Sequence, residues 1–117
     1  LDLELLRFAA MINGFTEIAI TKLDILDNFL EIKVATHYEI HSKKVNYENL
    51  ETLDLDKVKP VYKTFKGWQV STAGINQFGK LPKEAKDYLR FIEQTLKVPI
   101  KYISTGSKRN ETIKIWI

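Results

Sequence analysis

The sequence contains no cysteine among its 117 residues, and it has only five glycines and three prolines. The absence of cysteine excludes disulfide frameworks and thiolate metal sites, and it favours a reducing compartment. So little glycine and proline argues against a disordered chain. No apolar run approaches the roughly 20 residues that cross a bilayer. We therefore expect no membrane partner and a cytoplasmic location.

Neither sign of charge dominates, since the sequence contains 18 lysines and arginines and 15 aspartates and glutamates, for a net charge of +3. The basic residues are scattered, which is a mild bias toward anionic ligands and not a nucleic-acid signature. A basic nucleic-acid-binding domain is a lesser alternative, and it predicts salt-sensitive binding to duplex or single-stranded nucleic acid. The length suits one domain, so we treat 1–117 as a single segment and expect no nucleic-acid partner.

The hydrophobic patterns predict an α/β fold. An apolar stripe predicts a helix over 1–12, and the unbroken apolar run that ends 15–21 predicts a strand covered on both faces. Residues 31–40 alternate as a half-buried strand, with Ala35 on the polar face. The polar stretch 41–60 predicts only a hairpin turn near its start. Further along, the patterns predict strands over 61–65, 100–103 and 112–117 and a helix over 82–97.

Two polar segments follow predicted strands, TKLD at 21–24 and STGS at 104–107. Ligands gather beyond the carboxyl ends of strands in open α/β sheets. The Asp24 carboxylate suits guanine, because it can accept from N1–H and the exocyclic amino group while adenine offers an acceptor at N1. The Lys22 methylene stem would lie along the ring, and backbone N–H groups of 104–107 would donate to guanine O6. An ordinary solvated turn remains the alternative for TKLD.

Other chemistry has little support in the sequence. His37 and His41 lie on a predicted strand, where four residues separate them by roughly 13 Å, too far for one metal ion. No G-x-x-x-x-G-K-[ST] phosphate loop occurs, and no Ser-His-Asp or paired-carboxylate arrangement stands out. We therefore predict no catalytic residue and no metal ligand in this chain, although it carries a candidate site for a base.

The longest motifs resemble a known enzyme family. MINGFTEIAITKLDILDNFLEIKVATHYEI, KPVYKTFKGWQVSTAGINQF and LPKEAKDYLRFIEQTLKVPIKYISTG follow in the order found in the C-terminal portion of adenylosuccinate synthetases. The likeness runs from residue 1 to 117 and covers roughly the last quarter of a family enzyme. It implies the C-terminal part of a larger P-loop-like mixed sheet flanked by helices. It also implies a homodimer for the whole enzyme.

The resemblance implies an activity. The family joins IMP and L-aspartate at the expense of GTP, with Mg²⁺, through phosphorylation of the IMP 6-oxygen and displacement by the aspartate amine. In this chain it implies guanine contacts at six positions: Thr21, Lys22, Asp24, Ser104, Thr105 and Gly106. Ser107 departs from the proline that is usual after this glycine, but the contacts expected there come largely from the backbone.

The resemblance also places the reaction chemistry outside this sequence. The family's catalytic Asp and His, its glycine-rich phosphate loop and its aspartate-binding arginines are expected upstream of Leu1, and the magnesium ligands mainly outside the segment. Leu1-Asp2 resemble the end of a Gly-Trp-Leu-Asp segment of the family. We expect this chain alone to be inactive. A standalone guanine-nucleotide-binding or interaction module without catalysis is the alternative.

Overall fold

The computed structural model describes residues 1–50 and 57–115, apart from the side chain of Arg109. Within these ranges the α/β fold is confirmed, with two α-helices, six strands and several short 3₁₀ turns. In chain order the helices and strands are α1 (Leu3–Asn13), β1 (Ile18–Ile20), β2 (Glu31–Ile40), β3 (Lys43–Val45), β4 (Lys59–Lys66), α2 (Lys83–Leu96), β5 (Ile100–Ser104) and β6 (Thr112–Lys114).

Helix α1 is capped at both ends. Asp2 is extended and its Oδ1 accepts a hydrogen bond from Leu5 N at 3.0 Å, which satisfies one of the free N–H groups of the first turn. Gly14 adopts the left-handed conformation, with φ of 62°, and its N–H donates to Ala10 O. The helix predicted over 1–12 is confirmed, with its start shifted to Leu3.

One three-stranded sheet has the order β1-β5-β6, in which β1 runs parallel to β5 and β6 runs antiparallel to it. Ile20 pairs with Ile103, so both parallel strands end at the same edge. The prediction that β1 is covered on both faces is wrong for the described residues. Ile18 and Ile20 pack against the core, whereas Ala19 is exposed on the other face.

A second three-stranded sheet has the order β3-β2-β4 and is antiparallel throughout. Its β2-β3 hairpin turns through His41 and Ser42, both with positive φ, which suits a two-residue turn and confirms the predicted hairpin. The register shifts between Ala35 and His37. Ala35 is buried, and its N–H donates to Leu1 O at 2.9 Å, at a bridge between Asp2 and Ala35. Its expected exposure on the polar face is therefore wrong.

One hydrophobic core joins α2 to both sheets and to Leu3 of α1. All five residues of the predicted α2 stripe are buried, which confirms this helix: Ala85, Tyr88, Leu89, Ile92 and Leu96. Strand β6 covers the first half of the strand predicted over 112–117, and residues 116–117 lie outside the described residues. Residues 51–56, which belong to the polar stretch 41–60, also lie outside the described residues. No helix in the described ranges has the length and apolar character to cross a membrane.

A close backbone contact joins the end of β4 to the segment before β2. Gly67 N donates to Leu30 O at 2.8 Å, and a Cβ added at Gly67 would lie 1.7 Å from Phe29 O. Real Cβ atoms do not approach an oxygen so closely, so this position requires glycine. The contact brings the loop after β4 beside the turn after β1.

Candidate functional site

The TKLD and STGS segments lie side by side at one edge of the sheet. TKLD begins directly after β1, and STGS begins at the last residue of β5. Because these strands are parallel neighbours in register at Ile20 and Ile103, their ends are about 5 Å apart. The predicted placement of both segments at the carboxyl ends of strands is therefore confirmed.

A 3₁₀ turn over Leu23–Leu26 fixes the shape of the TKLD segment. Lys22 precedes it in the left-handed conformation, with φ of 56° and ψ of 45°, and its carbonyl accepts from Ile25 N at 3.1 Å. Leu23 is 1% exposed and fixes the turn to the core. Thr21 and Lys22 are exposed. The backbone thus turns sharply and leaves both of these side chains free at the surface.

Asp24 carries the most unusual polar atom of the site. Its Oδ1 is buried, and within the described residues it has no hydrogen-bond partner. Buried polar atoms are nearly always paired, and an unpaired one costs about 1–3 kcal/mol, more when it is charged. A carboxylate oxygen accepts hydrogen bonds and does not donate them when ionised. The position therefore suits a ligand that brings an N–H or O–H donor.

The segment after β5 is held from inside by Thr105. This residue is fully buried, its N–H donates to Glu111 O at 2.8 Å, and its hydroxyl lies 2.8 Å from Ile75 O and 3.0 Å from Glu111 O. Ser104 turns its hydroxyl to Gly106 O at 2.8 Å. The Ser104 hydroxyl therefore bonds within the loop, whereas the buried Thr105 hydroxyl connects the loop to Ile75 and Glu111.

The loop still offers backbone donors. Gly106 is half-buried and Ser107 is exposed, and neither N–H donates to another group in the described part of the chain. A Cβ at Gly106 would lie 2.1 Å from Glu111 Oε2, so the Glu111 carboxylate covers the position where a side chain would stand. Glu111 Oε1 in turn accepts from Lys108 N at 3.1 Å. The geometry matches a loop that donates through its backbone.

Asp27 and Thr72 lie next to the candidate site, and the sequence patterns did not indicate either of them. Asp27 follows Asp24 by one turn and is buried, with its carboxylate bonded to Trp68 Nε1 and to both the N–H and the hydroxyl of Thr72. The repeated Asp of TKLDILD is a signal that could have suggested Asp27. Nothing in the sequence alone points to Thr72, because 45 residues separate it from Asp27.

The described residues contain no group of three or more His, Cys, Asp or Glu side chains that could hold a metal ion. His37 Nε2 instead lies 3.5 Å from Glu39 Oε1 on the second sheet. Mg²⁺ therefore has no ligand set of this kind within these ranges.

A family model described as adenylosuccinate synthetase matches residues 1–113. The chain belongs to the adenylosuccinate synthetase family. Similar relatives include the adenylosuccinate synthetases of Aquifex aeolicus, 48% identical over 113 residues, and of Thermodesulfovibrio yellowstonii, 50% identical over 113 residues. These alignments cover 97% of this chain but 26% and 27% of the relatives. The chain thus spans about a quarter of the length of the curated relatives it matches.

The structure agrees with that membership. It is similar to fully ligated adenylosuccinate synthetase from Plasmodium falciparum, with a TM-score of 0.92 and 30% sequence identity. The match covers 99% of this chain and 28% of that chain. The family resemblance expected from the sequence motifs is confirmed.

Proposed function

We propose that this chain is the guanine-recognising C-terminal part of an adenylosuccinate synthetase. Such an enzyme joins IMP and L-aspartate to form adenylosuccinate and releases GDP and phosphate from GTP. The observation that carries the proposal is the buried Oδ1 of Asp24, which has no hydrogen-bond partner within the described residues. It belongs to the segment after β1, whose parallel neighbour β5 leads into the loop with the N–H groups of Gly106 and Ser107. Membership of the family supplies the reaction in which a guanine nucleotide is used.

The proposed contacts follow from the edge of the base. Guanine donates through N1–H and its exocyclic amino group, and the two oxygens of the Asp24 carboxylate accept both. Guanine O6 accepts from the N–H groups of Gly106 or Ser107, while the Lys22 stem lies along the ring. Adenine presents an acceptor at N1 and would leave the carboxylate unpaired. Sites built to pair with such donors disfavour a ligand that lacks them by a factor on the order of 10⁴.

The six residues predicted to contact guanine divide into three groups under this proposal. Lys22, Asp24 and Gly106 touch the base, and Thr21 lies at the exposed entrance of the turn. Ser104 and Thr105 hold the loop in place through their hydroxyl groups. This chain contributes no reacting side chain in the proposal.

The same proposal covers the sheet, the catalytic groups and the assembly of the whole enzyme. The mixed sheet of β1, β5 and β6 would form part of a larger P-loop-like sheet, consistent with the exposed Ala19 face of β1. The catalytic residues and Mg²⁺ ligands would come from other parts of the enzyme. When bound, Mg²⁺ would neutralise the phosphate charge of GTP. The whole enzyme would be a cytoplasmic homodimer.

Replacing Asp24 with alanine in a full-length enzyme that carries this chain tests the proposal. We expect kcat/KM for GTP to fall by about 10²-fold, because the hydrogen bonds to a charged acceptor are lost. The preference for GTP over ATP should fall with it. Adenylosuccinate formation measured with GTP, inosine triphosphate and ATP supplies these ratios.

Asp87→Ala is the matched control, since Asp87 is exposed on α2, and it should leave the ratios unchanged. An Asp24→Ala enzyme with an unaltered preference for GTP would contradict the proposal. If instead the protein binds GDP over ADP through Asp24 but forms no adenylosuccinate, the alternative of a binding module without catalysis replaces it.

A further inference from the structure

The Asp27 carboxylate is the most completely bonded acid near the site. Asp27 is 7% exposed, and its Oδ1 accepts from Trp68 Nε1 at 2.8 Å and from the Thr72 hydroxyl at 2.7 Å. Its Oδ2 accepts from Thr72 N at 2.7 Å. Hydrogen bonds to a charged acceptor are short and strong, and a fully satisfied buried network is rigid. Asp27 therefore fixes the end of the TKLD turn to the loop after β4.

Asp24 and Asp27 belong to the same turn but have opposite surroundings. Asp27 N donates to Asp24 O at 3.1 Å, so the backbone of one residue holds the backbone of the other. The Asp27 carboxylate has three donors, whereas Asp24 Oδ1 is buried without any among the described residues. One carboxylate holds the turn in place and the other is left for a ligand.

The same loop also holds the other half of the site. Ile75 N donates to Thr72 O at 3.0 Å, and the Thr105 hydroxyl lies 2.8 Å from Ile75 O. A continuous series of hydrogen bonds thus leads from Asp27 through Thr72 and Ile75 to Thr105. It connects the turn that carries Asp24 to the loop that carries Gly106. The 68–75 segment therefore connects these two parts of the site through Thr72 and Ile75.

We propose that Asp27 and Thr72 are positioning residues that set guanine selectivity by holding the Asp24 carboxylate in register with the backbone donors of the 104–107 loop. This inference rests on the proposed function. The base edge is rigid, so its two donors and one acceptor can be matched only if both segments keep a fixed separation. Binding constellations need positions held within about 0.5 Å by supporting hydrogen bonds.

Thr72→Val in the full-length enzyme isolates this role, because valine keeps the shape and the backbone N–H but removes the hydroxyl donor to Asp27. We expect KM for GTP to rise about tenfold, the scale of one hydrogen bond to a charged group. The ratio of kcat/KM for GTP to that for inosine triphosphate, which lacks the exocyclic amino group, should shrink. The KM for IMP and kcat should stay as in the parent.

Thr72→Ser restores the hydroxyl and should restore the parent ratio. Thr64→Val makes the same chemical change at an exposed position on β4 and serves as the control. A purely structural role predicts a different result, in which the active fraction falls equally with every nucleotide and the GTP to inosine triphosphate ratio stays constant. That result would overturn the inference.

A double variant separates this inference from the proposed function. In an Asp24→Ala background the carboxylate to be positioned is gone, so adding Thr72→Val should produce no further loss of guanine selectivity. An additional loss there would contradict positioning through Asp24. If Asp24→Ala alone leaves the GTP to inosine triphosphate ratio unchanged, the proposed function fails. If only Thr72→Val leaves it unchanged, the positioning role alone fails.

Discussion

At the scale of single residues, Lys22 has a backbone conformation that lysine rarely adopts. Its φ of 56° and ψ of 45° lie in the left-handed region, which costs a residue with a Cβ about 1–2 kcal/mol. Strain of this kind is often found at functional sites, where the surrounding structure holds it in place. In this turn it directs the chain from β1 into the 3₁₀ segment that carries Asp24. The exposed Lys22 side chain is then free to cover a base.

Lys22→Gly should therefore change stability and binding in opposite directions. Glycine removes the backbone strain but adds freedom to the unfolded chain, so we expect the free energy of unfolding to rise by about 0.5 kcal/mol. Nucleotide affinity should fall because the aliphatic stem is lost. Denaturant unfolding and titration with GDP measure the two effects.

Lys97 provides the matched control for this prediction. It also has φ of 56°, but it caps the end of α2. Lys97→Gly should raise the free energy of unfolding similarly and leave GDP affinity as it was. A loss of GDP affinity in the Lys97→Gly protein equal to that caused by Lys22→Gly would contradict a role for Lys22 at the base.

At the scale of elements, the regular patterns are predictable from sequence and the contacts between distant segments are not. Helix α2 follows from its apolar spacing, because one face of a 3.6-residue repeat must be buried. The exposure of Ala19 does not follow, since an apolar run cannot show how many faces its neighbours cover. The same limit applies to the contact between Asp27 and Thr72, which tertiary packing alone brings together.

Tyr88 on α2 makes the packing of this element sensitive to alkaline pH. Its ring lies at 5.8 Å from that of Phe65 and 6.0 Å from that of Trp68, and burial raises the pKa of the Tyr88 hydroxyl above its ordinary value. Because the pKa is higher in the folded than in the unfolded state, ionisation of Tyr88 favours the unfolded state. The protonated hydroxyl therefore leaves stability unaffected below the unfolded pKa of about 10, and the free energy of unfolding falls as the pH rises above it.

Tyr88→Phe should remove that part of the pH dependence. We expect the free energy of unfolding of the parent to fall more steeply between about pH 9 and 11 than that of the Tyr88→Phe protein. The comparison requires denaturant titrations of both proteins across this range, with pH 7 as the common reference. Equal slopes in the two proteins would show that Tyr88 ionises as easily in the folded state as in the unfolded one.

At the scale of the whole molecule, the proposed site is assembled from segments far apart in the sequence. Parallel pairing of β1 with β5 brings the residues after Ile20 beside those after Ile103. The loop after β4 then binds both segments, through Thr72 on one side and Ile75 on the other. The sequence motifs predict which segments form the site. The relative position of their donors and acceptors depends on the folded sheet and on this loop.

Under the proposed function, the Asp24 carboxylate selects guanine by accepting hydrogen bonds from N1–H and the exocyclic amino group. A change in the donors and acceptors of this side chain tests that role most directly. In the Asp24→Asn variant of the full-length enzyme, the side-chain amide can donate to the C2 oxygen of xanthine while its oxygen accepts from N1–H. We predict that the parent prefers GTP to xanthosine triphosphate by at least about 10²-fold in kcat/KM, and that the variant prefers xanthosine triphosphate. A variant that still prefers GTP would contradict the claim.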